Sequence, residues 1–270
     1  MNAFENFLKL INIKMETPTP YGWFHFLWLA IMIIASIVVG VYAKKATQKQ
    51  NKIFLISISL IMIAFEIYKQ LSFSFNVDSG AWSYQWYSFP FQFCSVPMYV
   101  MLLAGVLKEG KFRDCLYSFL GTYGLFAGMA VMLMPGDVFT STLGINIQTM
   151  LHHSEMFVVG IYILASGKFK FDFKTLLKGF YVFLVVLGMA LILNIIVFNS
   201  GVLNGQTFNM FFISPYFPCT LFGFSAIYGK VPYVIFLLIY IIAFTLASYI
   251  VLLISRLISI IKKHKKIMKK

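Results

Sequence analysis

The sequence predicts an all-α membrane protein: a bundle of seven transmembrane helices, with the amino terminus outside and the carboxyl terminus in the cytoplasm. Three observations predict it. Hydrophobic residues make up 60% of the 270 and charged residues only 11%, with a mean hydropathy of +0.83, whereas roughly a quarter of a soluble domain is charged. The apolar residues fall into runs of about 20, the length that covers a bilayer core. All basic residues except Lys9, Lys14, Lys69 and Lys230 lie in four clusters between or after those runs. That is the pattern of membrane topology, so the formal charge of +13 does not call for a nucleic-acid partner.

Residues 1–22 set Phe4, Phe7, Leu8 and Ile11 at helical spacing with Glu5, Lys9 and Lys14 between them, which predicts a short amphipathic helix lying in the interface. Thr17-Pro18-Thr19-Pro20 ends it, and Trp23 and Trp28 fit an aromatic belt. No small-residue cleavage site follows the first long apolar run, so no signal peptide is expected. Spans are expected at about 23–43, 53–72, 89–107, 114–134, 147–166, 174–198 and 232–255. Lys44, Lys45, Lys49 and Lys52 follow the first, Lys108, Lys111 and Arg113 the third, and Lys168, Lys170, Lys174 and Lys178 the fifth. Arg256 and the lysines from Lys262 to Lys270 form a polybasic tail over 256–270. The intervening loops hold only Lys230, which sets the orientation. Loop 199–231 is rich in aromatics and is expected to dip into the interface or cap the bundle. In the fourth span, Gly124 and Gly128 are four apart and allow a neighbouring helix to approach closely. The chain reads as one polytopic domain over 1–270.

Chemistry is expected where polar residues interrupt apolar helices. The stretch Phe89-Pro90-Phe91-Gln92-Phe93-Cys94-Ser95-Val96-Pro97 opens the third span with an amide, a thiol, a hydroxyl and two prolines, all of which need partners in hydrocarbon. Counting 1.5 Å per residue puts Cys94 about 8 Å below the outer end of its span. His152, His153, Glu66 and, nearer the end, Asn194 lie at comparable depth on three other spans, and Asn209 lies in the adjoining loop. Ionisable groups at such depth mark function. Each also has a plainer reading. Glu66 and Lys69, three apart on one face, can neutralise each other, and Lys69 can snorkel outward. Adjacent His152 and His153 point about 100° apart, so one is expected to face the chamber and the other a helix neighbour or interfacial water. Glu155 can orient His152. His25 reads as an interfacial residue. A lone Cys94 would be a small buried apolar residue, but a histidine at its depth makes it a candidate nucleophile, with Gln92 or Ser95 as an oxyanion donor. Cys115 and Cys219 have no histidine at their level. The three cysteines form neither a disulfide framework nor a CxxC pair, and no metal or organic cofactor is expected.

Phe24-His25, Glu66-Ile67-Tyr68-Lys69, the Phe89 to Ser95 stretch, Gln148-Thr149-Met150-Leu151-His152-His153, and Asn204 to Pro215 together resemble the YwaF-like integral membrane proteins across essentially the whole chain. That family is similar to an animal multipass acyltransferase of ether-phospholipid synthesis, and more remotely to membrane lipid hydrolases that use a threonine and a histidine. The resemblance implies a lipid acyl-transfer fold with Cys94 as nucleophile and, at the Gln-x-x-x-x-His spacing, His153 as base. The position two before the cysteine, often histidine in that family, is Gln92 here.

The function expected is a membrane-embedded acyltransferase or acyl hydrolase of the cell membrane. It would act on a phospholipid or lysophospholipid at the outer leaflet through an acyl thioester, with Glu66, Lys69, Glu155, Asn194 and Asn209 supporting the site. Two alternatives fit the same pattern: a small-solute transporter or heptahelical sensor with a buried polar site, and an assembly partner whose polar layer is interhelical glue. A retinal-type receptor is not expected, because no lysine lies between Tyr233 and Ser255.

Overall fold

The computed structural model describes residues 2–136, 138–167 and 172–267, with 259–267 described by backbone alone. Lys168, Lys170 and the lysines of the tail lie outside the residues whose side chains are described. The described residues form helices α1 (Ala3–Ile11), α2 (Trp23–Ala43), α3 (Gln48–Ser74), α4 (Val96–Val106), α5 (Lys111–Phe119), α6 (Leu125–Leu133), α7 (Leu143–Ala165), α8 (Phe173–Asn199) and α9 (Tyr233–Ile267). A π-helical turn, Leu120–Gly124, fuses α5 and α6 into one rod. Among the described residues there are isolated β-bridges but no strands.

Among the described residues, five helices are long and apolar enough to cross a membrane: α2, α3, the fused α5–α6, α8 and the Tyr233–Ile258 part of α9. α7 is equally long but is interrupted by Asn146, Gln148, His152, His153 and Glu155, all buried. It can carry them because it is enclosed, packing against α2, α3, α6 and the π turn. The polar residues thus face protein rather than lipid, as a bilayer interior demands.

The expected third span, 89–107, is helical only from Val96. Residues 89–95 are irregular, and Pro97 falls in the first turn of α4, where its missing N–H leaves no hydrogen bond unmade. The freed carbonyl of Pro90 accepts from the Tyr99 hydroxyl at 3.0 Å. The glycine expectation also shifts. A Cβ on Gly128 would lie 2.7 Å from the His153 carbonyl oxygen, and one on Gly121 would lie 3.2 Å from Ile163, so these two line α7, while Gly124 turns toward Pro97. The π turn adds residues to the rod between Gly121 and Gly128, and this changes which glycines share a face.

Helix α1 is capped by a reciprocal Asn2 and Glu5 box. It buries Leu8 and exposes Phe4, Phe7 and Leu10. Glu5 accepts from the Trp82 indole at 3.2 Å, and Phe4 stacks on the same ring. His25 is fully buried within the protein: Nε2 donates to the Met132 carbonyl at 2.8 Å and Nδ1 accepts from the Tyr21 amide at 3.0 Å, tying the start of α2 to the end of α6.

Candidate active site

Loop 199–231 enters the bundle. Phe208, Met210, Phe211, Ile213 and Ser214 have no exposed surface, and three amides hold the segment in place. Asn194 grips Met210 twice, accepting from its N–H at 2.8 Å and donating to its carbonyl at 3.0 Å. Gln92 donates to the Asn209 carbonyl at 3.0 Å and accepts from the Phe211 N–H at 2.9 Å. Asn209 accepts from the Ser214 N–H at 2.8 Å and donates to the Pro218 carbonyl at 3.0 Å. Between these grips Phe211 and Phe212 both hold φ of 59°. Aromatic residues rarely adopt left-handed backbone, which persists only where surrounding contacts over-determine it. Gln92, Asn194 and Asn209 therefore form a clamp on this loop. Gln92 has both ends of its amide engaged, with one hydrogen of its NH2 group beyond the bond to Asn209.

Two residues along from Gln92, the Cys94 carbonyl accepts from His152 Nε2 at 2.9 Å. A carbonyl accepts only, so Nε2 carries the proton and Nδ1 is the lone-pair nitrogen. Nδ1 is buried and has no partner, so Glu155 does not orient this ring. Glu155 is itself 9% exposed and leaves Oε2 buried without a hydrogen bond. His153 is fixed differently. Its Nδ1 donates to the Thr149 carbonyl one turn back, at 2.7 Å, which leaves Nε2 as the basic nitrogen. The two rings meet edge to face at 5.9 Å.

Cys94 is a free, half-buried thiol, and Ser95 beside it in sequence is buried. Lys69 lies within electrostatic reach of Cys94, His152 and His153, and Glu66 within reach of Cys94. Lys69 Nζ lies 2.8 Å from Glu66 Oε1 as the i,i+3 ion pair anticipated, with 15% and 5% of the two side chains exposed. Gln70, which the sequence reading passed over, joins them: its Nε2 donates to Glu66 Oε1 at 2.8 Å and to the Ser88 carbonyl at 2.6 Å. Its position four residues after Glu66 on the same face was the available signal. Glu66 Oε2 and Gln70 Oε1 remain buried without partners. A surface groove of about 370 Å³, bounded by Leu71, Ser74, Trp82, Ser83 and Tyr84, has Gln70 in its wall and borders this layer.

Glu66, Lys69, Gln70, Cys94, Ser95, His152 and His153 thus form one layer drawn from α3, α7 and the segment before α4. Asn194 and Asn209 meet it only through Gln92. Among the described residues no group of three histidine, cysteine or carboxylate side chains could hold a metal. The layer therefore offers a thiol, an oriented imidazole and a paired ammonium, a set suited to acid–base and nucleophilic chemistry.

Comparison with curated proteins and with solved structures finds no match. The model of the TMEM164 family matches residues 20–254, a stretch that includes every residue of the layer. On that match, which covers most of its length, the chain belongs to the TMEM164 family of multipass membrane proteins.

Proposed function

We propose that this chain is a membrane-embedded acyltransferase or acyl hydrolase acting on a phospholipid or lysophospholipid at the outer leaflet of the cell membrane, with Cys94 as nucleophile and His153 as base. The observation that carries the reading is the paired use of the two histidines. His152 is bonded to the backbone of Cys94, and His153 has its Nδ1–H fixed on a carbonyl and its Nε2 lone pair left as acceptor. An imidazole held through one nitrogen so that the other can take a proton is the arrangement a general base needs. The resemblance to YwaF-like proteins and multipass acyltransferases supports the same assignment.

In the reaction, His153 Nε2 takes the Cys94 thiol proton as sulfur attacks the ester carbonyl carbon. The tetrahedral centre collapses with loss of the ester oxygen, which leaves as lysolipid carrying the proton from the imidazolium. A hydroxyl, an amine or water then attacks the acyl thioester, gives its proton to His153 and restores the thiol. Negative charge on the oxyanion is stabilised by the positive dipole end of α4, which begins at Val96, by Ser95, and by the second hydrogen of Gln92 Nε2. Lys69, held by Glu66, supplies positive charge beside the layer.

In this reading α4 and α7 join the five long apolar helices to make seven spans, and the lysine-rich connections face the cytoplasm. A transport or sensor reading draws on a different observation, the half-length helix α4 preceded by an irregular segment, which resembles a broken-helix solute site. A labelling experiment separates the two. Purified protein incubated with an acyl-donor probe is expected to carry a hydroxylamine-sensitive acyl group on Cys94 and not on Cys115 or Cys219. Absence of any such adduct, with solute-dependent stabilisation instead, would turn the assignment to transport.

A further inference from the structure

Where α3 ends, away from the lysines of 44–52, the chain folds back on it and builds the groove that borders the layer. The Ser83 N–H donates to the Ser74 carbonyl at 2.8 Å and the Asn76 N–H to the Ala81 carbonyl at 2.9 Å, while Phe75 and Trp82 form an isolated bridge with their rings 4.9 Å apart. Trp82 is also braced by Phe4 and Glu5 of α1. The Tyr84 carbonyl accepts from Gln206 Nε2 at 3.0 Å, which ties that wall to loop 199–231. The walls of Leu71, Ser74, Trp82, Ser83 and Tyr84 around about 370 Å³ are thus pre-organised.

The face of α3 that runs into this groove says what fits it. Leu60, Ala64, Ile67, Leu71 and Ser74 recur at three- and four-residue spacing and share one side of the helix. Leu60, Ala64 and Ile67 are exposed, and Leu71 and Ser74 are half-buried in the groove wall. Leu71 follows Leu60 by eleven residues, about 16 Å at 1.5 Å per residue, close to half of a hydrocarbon core of about 30 Å. An acyl chain standing in one leaflet therefore meets apolar wall along its length. Its polar end then reaches the hydroxyls of Ser74 and Ser83 and the amide of Gln70. A soluble metabolite would leave the stripe bare, and a partner's transmembrane helix would set those polar groups against hydrocarbon. An amphiphile matches both parts.

Gln70 is the wall that groove and layer share. The Ser59 hydroxyl donates to the Met98 carbonyl at 2.7 Å and Gln70 Nε2 to the Ser88 carbonyl at 2.6 Å. Residues 59–70 of α3 thus lie alongside 88–98, the stretch that carries Cys94. We propose that this groove seats one diacyl phospholipid of the outer leaflet, chain along Leu60 to Leu71 and glycerol esters at Ser74, Ser83 and Gln70, and is its port to the layer. As a seat it stands alone; as a port it rests on the acyl-transfer reading above.

The full chain in detergent tests the seat by native mass spectrometry with added dioleoylphosphatidylglycerol. Wild type should retain one lipid. Ser74→Trp, which puts an indole into the groove, should cut retention by about tenfold or more. Ile242→Trp, the same bulk on an exposed position of α9, should not change it. If Ser74→Trp does not fold, Tyr84→Ala, which removes a wall, decides by the same loss. The port is read from the rate of Cys94 labelling by a vesicle-borne phospholipid donor relative to that by a short-chain soluble acyl thioester. Ser74→Trp should lower that ratio by about tenfold. Equal retention by wild type and the groove variant, equal loss in Ile242→Trp, or no retention by wild type overturns the seat. A ratio that stays constant while retention is lost overturns the port. Retention without any label on wild-type Cys94 removes the acyl-transfer reading and upholds the seat.

Discussion

The clamp of Gln92, Asn194 and Asn209 and the layer of Glu66, Lys69, Gln70, Cys94, His152 and His153 are neighbouring sets of polar residues, each buried or half-buried. They differ in how completely their atoms are partnered. In the clamp, both ends of all three amides meet backbone groups of the loop over 209–218. In the layer, Glu66 Oε2, Gln70 Oε1 and His152 Nδ1 are buried and unpartnered. A satisfied amide is architecture: it stabilises one backbone course, here one with two consecutive left-handed phenylalanines. An unsatisfied one keeps bonding capacity that a substrate can use. Polar residues in a membrane bundle are therefore better sorted by their open valences than by their depth.

That contrast can be broken by substitution. Cys94→Ala should abolish acyl labelling while leaving the melting temperature within a degree or two of wild type, and labelling that persists would remove the layer's claim to chemistry. His153→Gln should slow labelling by roughly 10²–10⁴-fold, the range expected for loss of a general base. Stopped-flow or timed quench would measure it, again with little change in stability. Asn194→Ala should do the reverse. It strands the Met210 N–H and carbonyl, at a cost of about 2–4 kcal/mol by urea or thermal unfolding, and any loss of labelling should follow the fraction unfolded. Gln92→Ala sharpens the boundary between the two regions: a fall in melting temperature places Gln92 with the clamp, whereas slower labelling at unchanged stability places it with the layer.

The smallest effect lies outside the bundle core. The Asn2 backbone N–H, and then the Trp82 indole, hold the Glu5 carboxyl below its ordinary value of 4.5. A depressed carboxylate contributes stability that is present above the ordinary value and lost as pH falls through the lowered one. Acidification below pH 4.5 should therefore loosen α1, seen as a change in Trp82 emission in a protein with the other tryptophans replaced by phenylalanine. Labelling at neutral pH should not differ in Glu5→Gln.

Much of this fold was legible in the sequence because the governing constraint is length. A run such as 23–43 or 174–198 has one stable arrangement in hydrocarbon, and α2 and α8 fall within a residue of where the apolar runs put them. The capping box of α1 is likewise local. The stretch before α4 was misjudged because Phe-Pro-Phe-Gln-Phe is as apolar as a helix. Only its tertiary partners, the Tyr99 hydroxyl on the Pro90 carbonyl and the His152 imidazole on the Cys94 carbonyl, reveal that its backbone groups are satisfied outside one. Cys94, His152 and His153 stood out as polar groups in apolar helices. That His152 would bind a backbone carbonyl rather than Glu155 depends on the angle at which α7 passes the segment, which no single-chain pattern encodes. Arg113 and Asn51 escaped notice because residues at helix ends look like ordinary topology signals until their burial is seen.

One imidazole is fastened to the main chain of the cysteine itself, and its sequence neighbour carries the other ring. Thiol and histidines are therefore yoked. A shift of the segment ahead of α4 would have to break that bond or carry α7 with it.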